Sequence, residues 1–174
     1  MQRILETERL LLREFMEEDA EELFVLENDP EVTRHAISTS GLELSFSDCE
    51  KAVKRQRQYY KKHPGLGIWV VVLKENGEFV GWAGLKYVDH SKEIEMSMRF
   101  QKVYWNQGFA AEVGAALIRY GFETLDLKRI VAASRPEHGA SKRFLEKIGM
   151  HLTDPRLFYE ADVHSYVIER PSEQ

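Results

Sequence analysis

Residues Glu93 to Phe100 read EIEMSMRF. As a strand, this alternation puts Glu93, Glu95, Ser97 and Arg99 on one face and Ile94, Met96, Met98 and Phe100 on the other. A strand buried between helices should not carry Glu, Ser and Arg on one face unless they are paired or line a cavity. For Glu95 the paired reading is an ion pair with Arg99 or Lys86; the other is a carboxylate exposed to a ligand. The next stretch, YWNQGFAAEVGAAL from Tyr104 to Leu117, opens a helix on small residues. First-turn N–H groups of a helix lack helical partners, and the helix dipole adds positive character there. A strand, a bend and then Gly108 therefore make a candidate anion site. The competing reading is packing, with Gly108, Ala110, Ala111 and Gly114 letting the helix sit close on a sheet. Neither GxGxxG nor GxxxxGK[ST] is present. Ser141 stands at another helix start, by position an N-cap. Glu112 lies opposite the apolar stripe of its helix and reads as a solvated carboxylate or a substrate contact.

Other chemistries find little support. Cys49 is the one cysteine, so neither an intramolecular disulfide nor a cysteine metal cluster can form. No histidine neighbours it in sequence to activate it, and it reads as a plain thiol. His35, His63, His90 and His151 show no metal spacing, so no metal site is expected. The formal net charge of -5 argues against a nucleic-acid partner. No apolar run reaches a membrane span or a signal peptide, so the expected location is cytoplasmic, with no membrane partner.

These residues need elements to hold them. The 174 residues fit one domain, 1–174, and no linker or repeat divides them. Thr7 to Phe15 (TERLLLREF) reads as a first strand. EEDAEELFVLEND reads as a helix stopped by Pro30. Asp48 to His63 reads as a polar helix capped by Ser47 or Asp48, with loop over 31–46. Two apolar runs joined at Glu75-Asn76-Gly77 form a hairpin, since both residues of the pair tolerate positive φ. A helix follows over Gln107 to Leu125, with Ala110, Val113, Gly114, Leu117, Ile118, Gly121 and Leu125 as its stripe. Then come a strand at Arg129–Ser134, a helix at Ser141–Ile148 stopped by Gly149, and strands near Leu157–Glu160 and Val163–Arg170. The order β-α-α-β-β-β-α-β-α-β-β is an α/β arrangement with a mixed sheet.

From Glu95 to Met150 the chain resembles the GNAT superfamily of acyl-CoA-dependent N-acetyltransferases, and most closely its Rim-type branch, which includes acetyltransferases of ribosomal-protein N-termini. The superfamily motif is Q/R-x-x-G-x-G/A, and the branch form is matched here by Trp105-Asn106-Gln107-Gly108-Phe109-Ala110-Ala111-Glu112. The likeness runs on through YGFETLDLKRIVAASRPEHGASKRFLEKIGM, where the branch has Pro-Glu-Asn-x-Ala-Ser and a helix closing in Leu-Gly-Met. TERLLLREF also looks like the branch's first strand. The likeness is weakest over residues 31–66. One departure stands out: His138 occupies the place of the motif's Asn, which in the family contacts the pantetheine arm.

The resemblance implies a fold of α/β (α+β) class. Its sheet is mixed, mostly antiparallel and strongly twisted, with about seven strands, helices on both faces and a splay between strands four and five. It implies transfer of the acetyl group of acetyl-CoA, as co-substrate, to an amine that attacks directly. The acceptor is a small molecule or a protein N-terminus, and homodimers are common in the branch. The diphosphate would meet Trp105, Asn106, Gln107, Gly108, Phe109 and Ala110. The pantetheine arm would pair along Met96 to Arg99, with the N–H of Met98 or Arg99 polarising the thioester carbonyl. Glu95 would be general base or amine anchor, and Ser141 would protonate the leaving thiolate while also capping its helix. Tyr159 and Tyr166 are alternative acids, although Tyr166 also suits strand packing. Met96 and Met98 either line the acyl pocket or belong to the core. Two other readings stand beside this one: a non-catalytic CoA-binding module, which His138 favours, and an interaction domain in which the small residues serve only packing.

Overall fold

The computed structural model describes residues 2–37, 42–154 and 163–171. The chain begins with strands β1 (Arg3–Glu6) and β2 (Leu10–Arg13), then helices α1 (Asp19–Glu27), α2 (Pro30–Thr33) and α3 (Phe46–Lys62). Strands β3 (Gly67–Leu73), β4 (Phe79–Tyr87) and β5 (Ile94–Phe100) follow, and a short turn at Lys102–Tyr104 leads into α4 (Phe109–Arg119). A π turn at Tyr120–Thr124 extends α4, and β6 (Arg129–Ser134), α5 (Gly139–Lys147), β7 (His151–Thr153) and β8 (His164–Glu169) complete the order. The strands form one sheet in the order β1-β2-β3-β4-β5-β6-β8-β7. Every pairing is antiparallel except that of β5 with β6.

Period-two alternation sorts the sheet residues between two apolar layers. Trp69 and Val71 face the layer that holds Val113 and Leu117 of α4. Ile68, Val70 and Val72 face the layer that holds Leu23 and Leu26 of α1 with Cys49 and Val53 of α3. Helices therefore cover both faces, as expected. Cys49 is a buried core thiol, and burial pushes its pKa up. No helix among the described residues is long and apolar enough to cross a membrane.

Several local expectations change. Among the described residues the sheet has eight strands rather than about seven, because Arg3–Glu6, ahead of TERLLLREF, and His151–Thr153 form strands that the sequence reading does not place. The Thr7 N–H donates to the Leu10 carbonyl at 2.9 Å and the Leu10 N–H to the Thr7 hydroxyl at 3.0 Å. That turn folds Arg3–Glu6 back as an extra edge strand. Pro30 starts a helix instead of only ending one: it is the first residue of α2, and Asp29 caps it by accepting from the Glu31 N–H at 2.9 Å. The cap of α3 is Ser45, not Ser47 or Asp48. Asp48 is the reciprocal member of its capping box. In the turn between β3 and β4, Gly77 takes positive φ, at 78°, and Asn76 does not. The Leu157–Glu160 strand and Tyr159 lie outside the described residues.

The splay lies where it was expected. The strand counted fourth from Thr7–Phe15 is β5 once Arg3–Glu6 is included. β4 and β5 pair along their whole length, from Tyr87↔Ile94 to Gly81↔Phe100. β5 and β6 share the single register pair Glu95↔Val131. Beyond Glu95 the two parallel strands part, and the β5 edge from Met96 to Phe100 faces a gap.

Candidate active site

That gap opens into a cleft of about 1390 Å³, bounded by β5, by Ala132–Ser134 of β6, and by the starts of α4 and α5. It continues past β5 to the α1/α3 face of the sheet, so one volume spans both sides of the splay. It exceeds the roughly 300–1,000 Å³ of an ordinary small-molecule pocket.

The turn into α4 is braced by its own side chains. The Trp105 indole N–H donates to the Phe100 carbonyl at 2.9 Å, pinning the loop to the end of β5, and the ring is 40% exposed on the cleft. The Gln107 amide donates to the Val103 carbonyl at 2.7 Å, and Gln107 stands outside the lining. Asn106 and Gly108 both take positive φ, 60° and 82°. A Cβ on Gly108 would meet only Arg9 Nη2, at 3.4 Å, so left-handed backbone rather than crowding calls for glycine there. The first helical hydrogen bond runs from the Glu112 N–H to the Gly108 carbonyl at 3.0 Å. The amides of Phe109, Ala110 and Ala111 precede it and lack helical acceptors. Phe109 turns its ring into the core, while Ala110 and Ala111 are half-buried on the cleft. The small residues of this helix thus serve two ends. Gly108 shapes the cleft, whereas a Cβ on Gly114 would meet Phe144 of α5 at 3.0 Å and one on Gly121 would meet Ile130 of β6 at 2.7 Å.

The polar face of β5 is paired, and it also lines the cleft. Glu95 Oε1 lies 3.0 Å from Lys86 Nζ on the neighbouring strand. Arg99 pairs with Glu27 of α1, and its guanidinium lies 5.2 Å from the centre of the Trp82 ring. Glu27 also accepts from the Trp82 indole N–H at 2.8 Å. Between Glu95 and Arg99, the Ser97 hydroxyl is buried without a hydrogen-bond partner. On the opposite face Met96 is a core residue, 4% exposed, and Met98 is half-buried at the core's margin. Both border the cleft.

At α5 the expected cap moves. The helix begins at Gly139 with His138 as N-cap residue, so Ser141 is the third residue of its first turn, half-buried on the cleft. The tight Glu137–Gly139 turn, where the Gly139 N–H donates to the Glu137 carbonyl at 3.1 Å, starts the helix earlier than its sequence suggests. His138 also lines the cleft, and its ring stacks on His35, with centroids 4.5 Å apart and planes 18° from parallel. Burial, and then the neighbouring His35, hold the His138 pKa below the ordinary imidazole value; Glu137 acts weakly the other way. Arg135 donates to the Ala36 carbonyl at 3.3 Å, so the loop after α2 is fastened to the loop before α5. Nothing in the sequence links His35 to His138, because the pairing belongs to two loops brought together by the sheet.

Glu112 falls elsewhere than expected, while Tyr166 takes the strand-packing place its sequence suits. Glu112 is no solvated surface carboxylate: it accepts from the Thr7 hydroxyl at 2.5 Å, the Arg9 N–H at 2.9 Å and Arg9 Nε at 2.7 Å. Tyr166 is fully buried in β8 without a partner for its hydroxyl, and it does not border the cleft. Among the described residues no three His, Cys, Asp or Glu converge as a metal site.

Residues 9–151 match the family model described as an acetyltransferase (GNAT) domain. The uncharacterized N-acetyltransferase YoaA of Bacillus subtilis is 32% identical over 150 residues, covering 84% of this chain and 81% of its own. The crystal structure of a GNAT-family acetyltransferase from Bacillus anthracis superposes with a TM-score of 0.75 at 26% identity, covering 97% of this chain and 98% of that one. RimL, a ribosomal L7/L12 alpha-N-protein acetyltransferase solved with coenzyme A, shares the fold at 16% identity, with a TM-score of 0.79 over 97% of this chain and 98% of its own. With an open strand edge, a cleft across the splay and a family match over most of its length, the chain belongs to the GNAT acetyltransferase family.

Proposed function

We propose that residues 1–174 form one domain that transfers the acetyl group of acetyl-CoA to a primary amine by direct attack, with both substrates bound together. The observation that carries this reading is the β5 edge from Met96 to Phe100, left open by the single β5–β6 register pair and facing the free amides of α4. An extended amide chain such as pantetheine can pair with that edge as an added strand. The Phe109, Ala110 and Ala111 amides suit its diphosphate, with Asn106 and Gly108 setting the approach. Trp105 holds this turn in place through Phe100. His138 borders the same cleft and can offer one hydrogen bond where the motif has Asn.

The N–H of Met98 or Arg99 polarises the thioester carbonyl. Glu95 takes a proton from the incoming ammonium, with Lys86 yielding its place. The nitrogen attacks the carbonyl carbon, the carbon–sulfur bond breaks, Ser141 delivers a proton to the thiolate, and the nitrogen's second proton returns to Ser141 through solvent. The acceptor enters from the α1/α3 side. The Trp105–Ala110 motif favours the Rim-type branch, in which homodimers are common, and hence a protein N-terminus or a small-molecule amine. RimL, solved with coenzyme A, supports the cofactor by its shared fold.

Thermal unfolding with and without acetyl-CoA tests this. A ligand at a hundred times its Kd adds about 2.7 kcal/mol to the native state, so the midpoint must rise. Ala111→Glu is the control. A carboxylate in the first turn suits the helix dipole, so the variant folds, but it repels a diphosphate. A rise lost in Ala111→Glu, followed by thiol release with an amine, bears out the reading. An unchanged midpoint at saturating acetyl-CoA rejects it. A rise without thiol release for any of a broad amine panel makes the protein a CoA-binding module instead.

A further inference from the structure

Lys86 places a primary amine where the acceptor of the proposed reaction has to sit. It lies directly across from Glu95 in the β4–β5 register, and cross-strand partners share a face. Its Nζ is 3.0 Å from Glu95 Oε1, and both side chains border the cleft, at 32% and 15% exposure. The open edge begins one residue after Glu95. A four-carbon stem can swing its amine from the carboxylate toward that edge without backbone movement. Tethering supplies the proximity that a free amine has to gain by binding.

We infer that Lys86 is an intramolecular acetyl acceptor, modified by the protein itself when acetyl-CoA is bound and no other amine occupies the cleft. The inference rests on the function proposed above. In the step, the Lys86 ammonium gives a proton to Glu95, and its nitrogen lone pair attacks the thioester carbonyl. The C–N bond forms, the C–S bond breaks, and the thiolate leaves to take up a proton as CoA thiol. The nitrogen's second proton passes to solvent. The products are an uncharged acetyl-lysine and CoA, and Glu95 no longer faces this cation.

Exposure separates this from random chemical acetylation. Lys51, Lys102 and Lys142 have side chains 65%, 55% and 56% exposed, so adventitious acetylation reaches them before Lys86. The experiment incubates the purified protein with acetyl-CoA and no acceptor, and follows acetylation of each lysine by peptide mass spectrometry. The expected result is Lys86 acetylated ahead of Lys51, Lys102 and Lys142, at a first-order rate independent of protein concentration. Glu95→Gln should slow it by about 100-fold or more. Lys86→Arg keeps a cation beside Glu95, and should lose the modification while still showing the acetyl-CoA-dependent rise in midpoint. If acetyl-CoA raises the midpoint and added amines release thiol, but Lys86 stays unmodified or is no faster than Lys51, the inference falls and the proposed function stands. A rate that scales with protein concentration also overturns it. If acetyl-CoA does not bind, the proposed function fails and this inference fails with it.

Discussion

Glu112 in the first turn of α4 holds Arg9, 103 residues earlier in the sequence, by both its backbone N–H and its guanidinium. Arg9 in turn donates to the Gln107 carbonyl at 3.0 Å and lies 4.4 Å from the centre of the Phe109 ring. The N-terminal hairpin is thereby locked to the turn whose free amides face the cleft. The position of that turn is set by the first strands of the chain as well as by its own backbone.

Replacing Glu112 by Gln should therefore lower stability by about 1–2 kcal/mol, less than a fully buried charged network would cost because Arg9 is 44% exposed and partly screened by solvent. Burial raises the Glu112 pKa, but the hydrogen bonds from Thr7 and Arg9 outweigh it and hold the group below its ordinary 4.5. A depressed carboxylate contributes stability above its unfolded pKa and loses it as pH falls through the folded value. Urea unfolding at about pH 7 and about pH 4 should show a smaller acid loss in Glu112→Gln than in the parent.

The His35–His138 stack carries the opposite residue type but the same sign. A histidine whose folded pKa is lowered binds fewer protons than in the unfolded chain. Stability then falls as pH drops below the ordinary 6.5 and levels off below the folded value. Denaturation midpoints measured between about pH 8 and pH 5 should decline in the parent and decline less in His138→Asn. Equal slopes would show that the pair does not shape the profile.

Gly114 is the packing glycine of α4. A Cβ there would press on Phe144 at 3.0 Å and Ile148 at 3.1 Å, so Gly114→Leu must push α5 away. Overpacking of this kind costs about 1–3 kcal/mol, and it exceeds the roughly 1 kcal/mol that losing a helical glycine returns. Thermal unfolding should show a lower midpoint for the leucine variant.

Ser97→Ala should behave differently from most buried substitutions. The hydroxyl is buried with no partner, so removing it relieves a desolvated group, leaving stability unchanged or higher by up to about 1 kcal/mol. A clear loss of stability on denaturation would mean that this hydroxyl is bonded in solution.

Much of the architecture was local, and so it was legible in the residues. EIEMSMRF alternates with period two, and that alone put Glu95, Ser97 and Arg99 on one face of a strand, as found. The stripe of α4, the Gly149 stop and the Trp105–Glu112 motif are short-range patterns of the same kind. Other features depended on which segments meet. Whether Glu95 pairs with Lys86 or Arg99 was open until strand register put Lys86 opposite it and gave Arg99 to Glu27 of α1. Ser141 looked like a cap until the turn at Glu137–Gly139 started α5 earlier. The Arg9–Glu112 clamp and the His35–His138 stack join residues about a hundred positions apart. Helix and strand periodicity act over a few residues, so the sequence by itself determined the elements and their faces. Contacts between distant elements depend on how the whole sheet packs, and only the tertiary structure decided which charges paired and where the cleft opened.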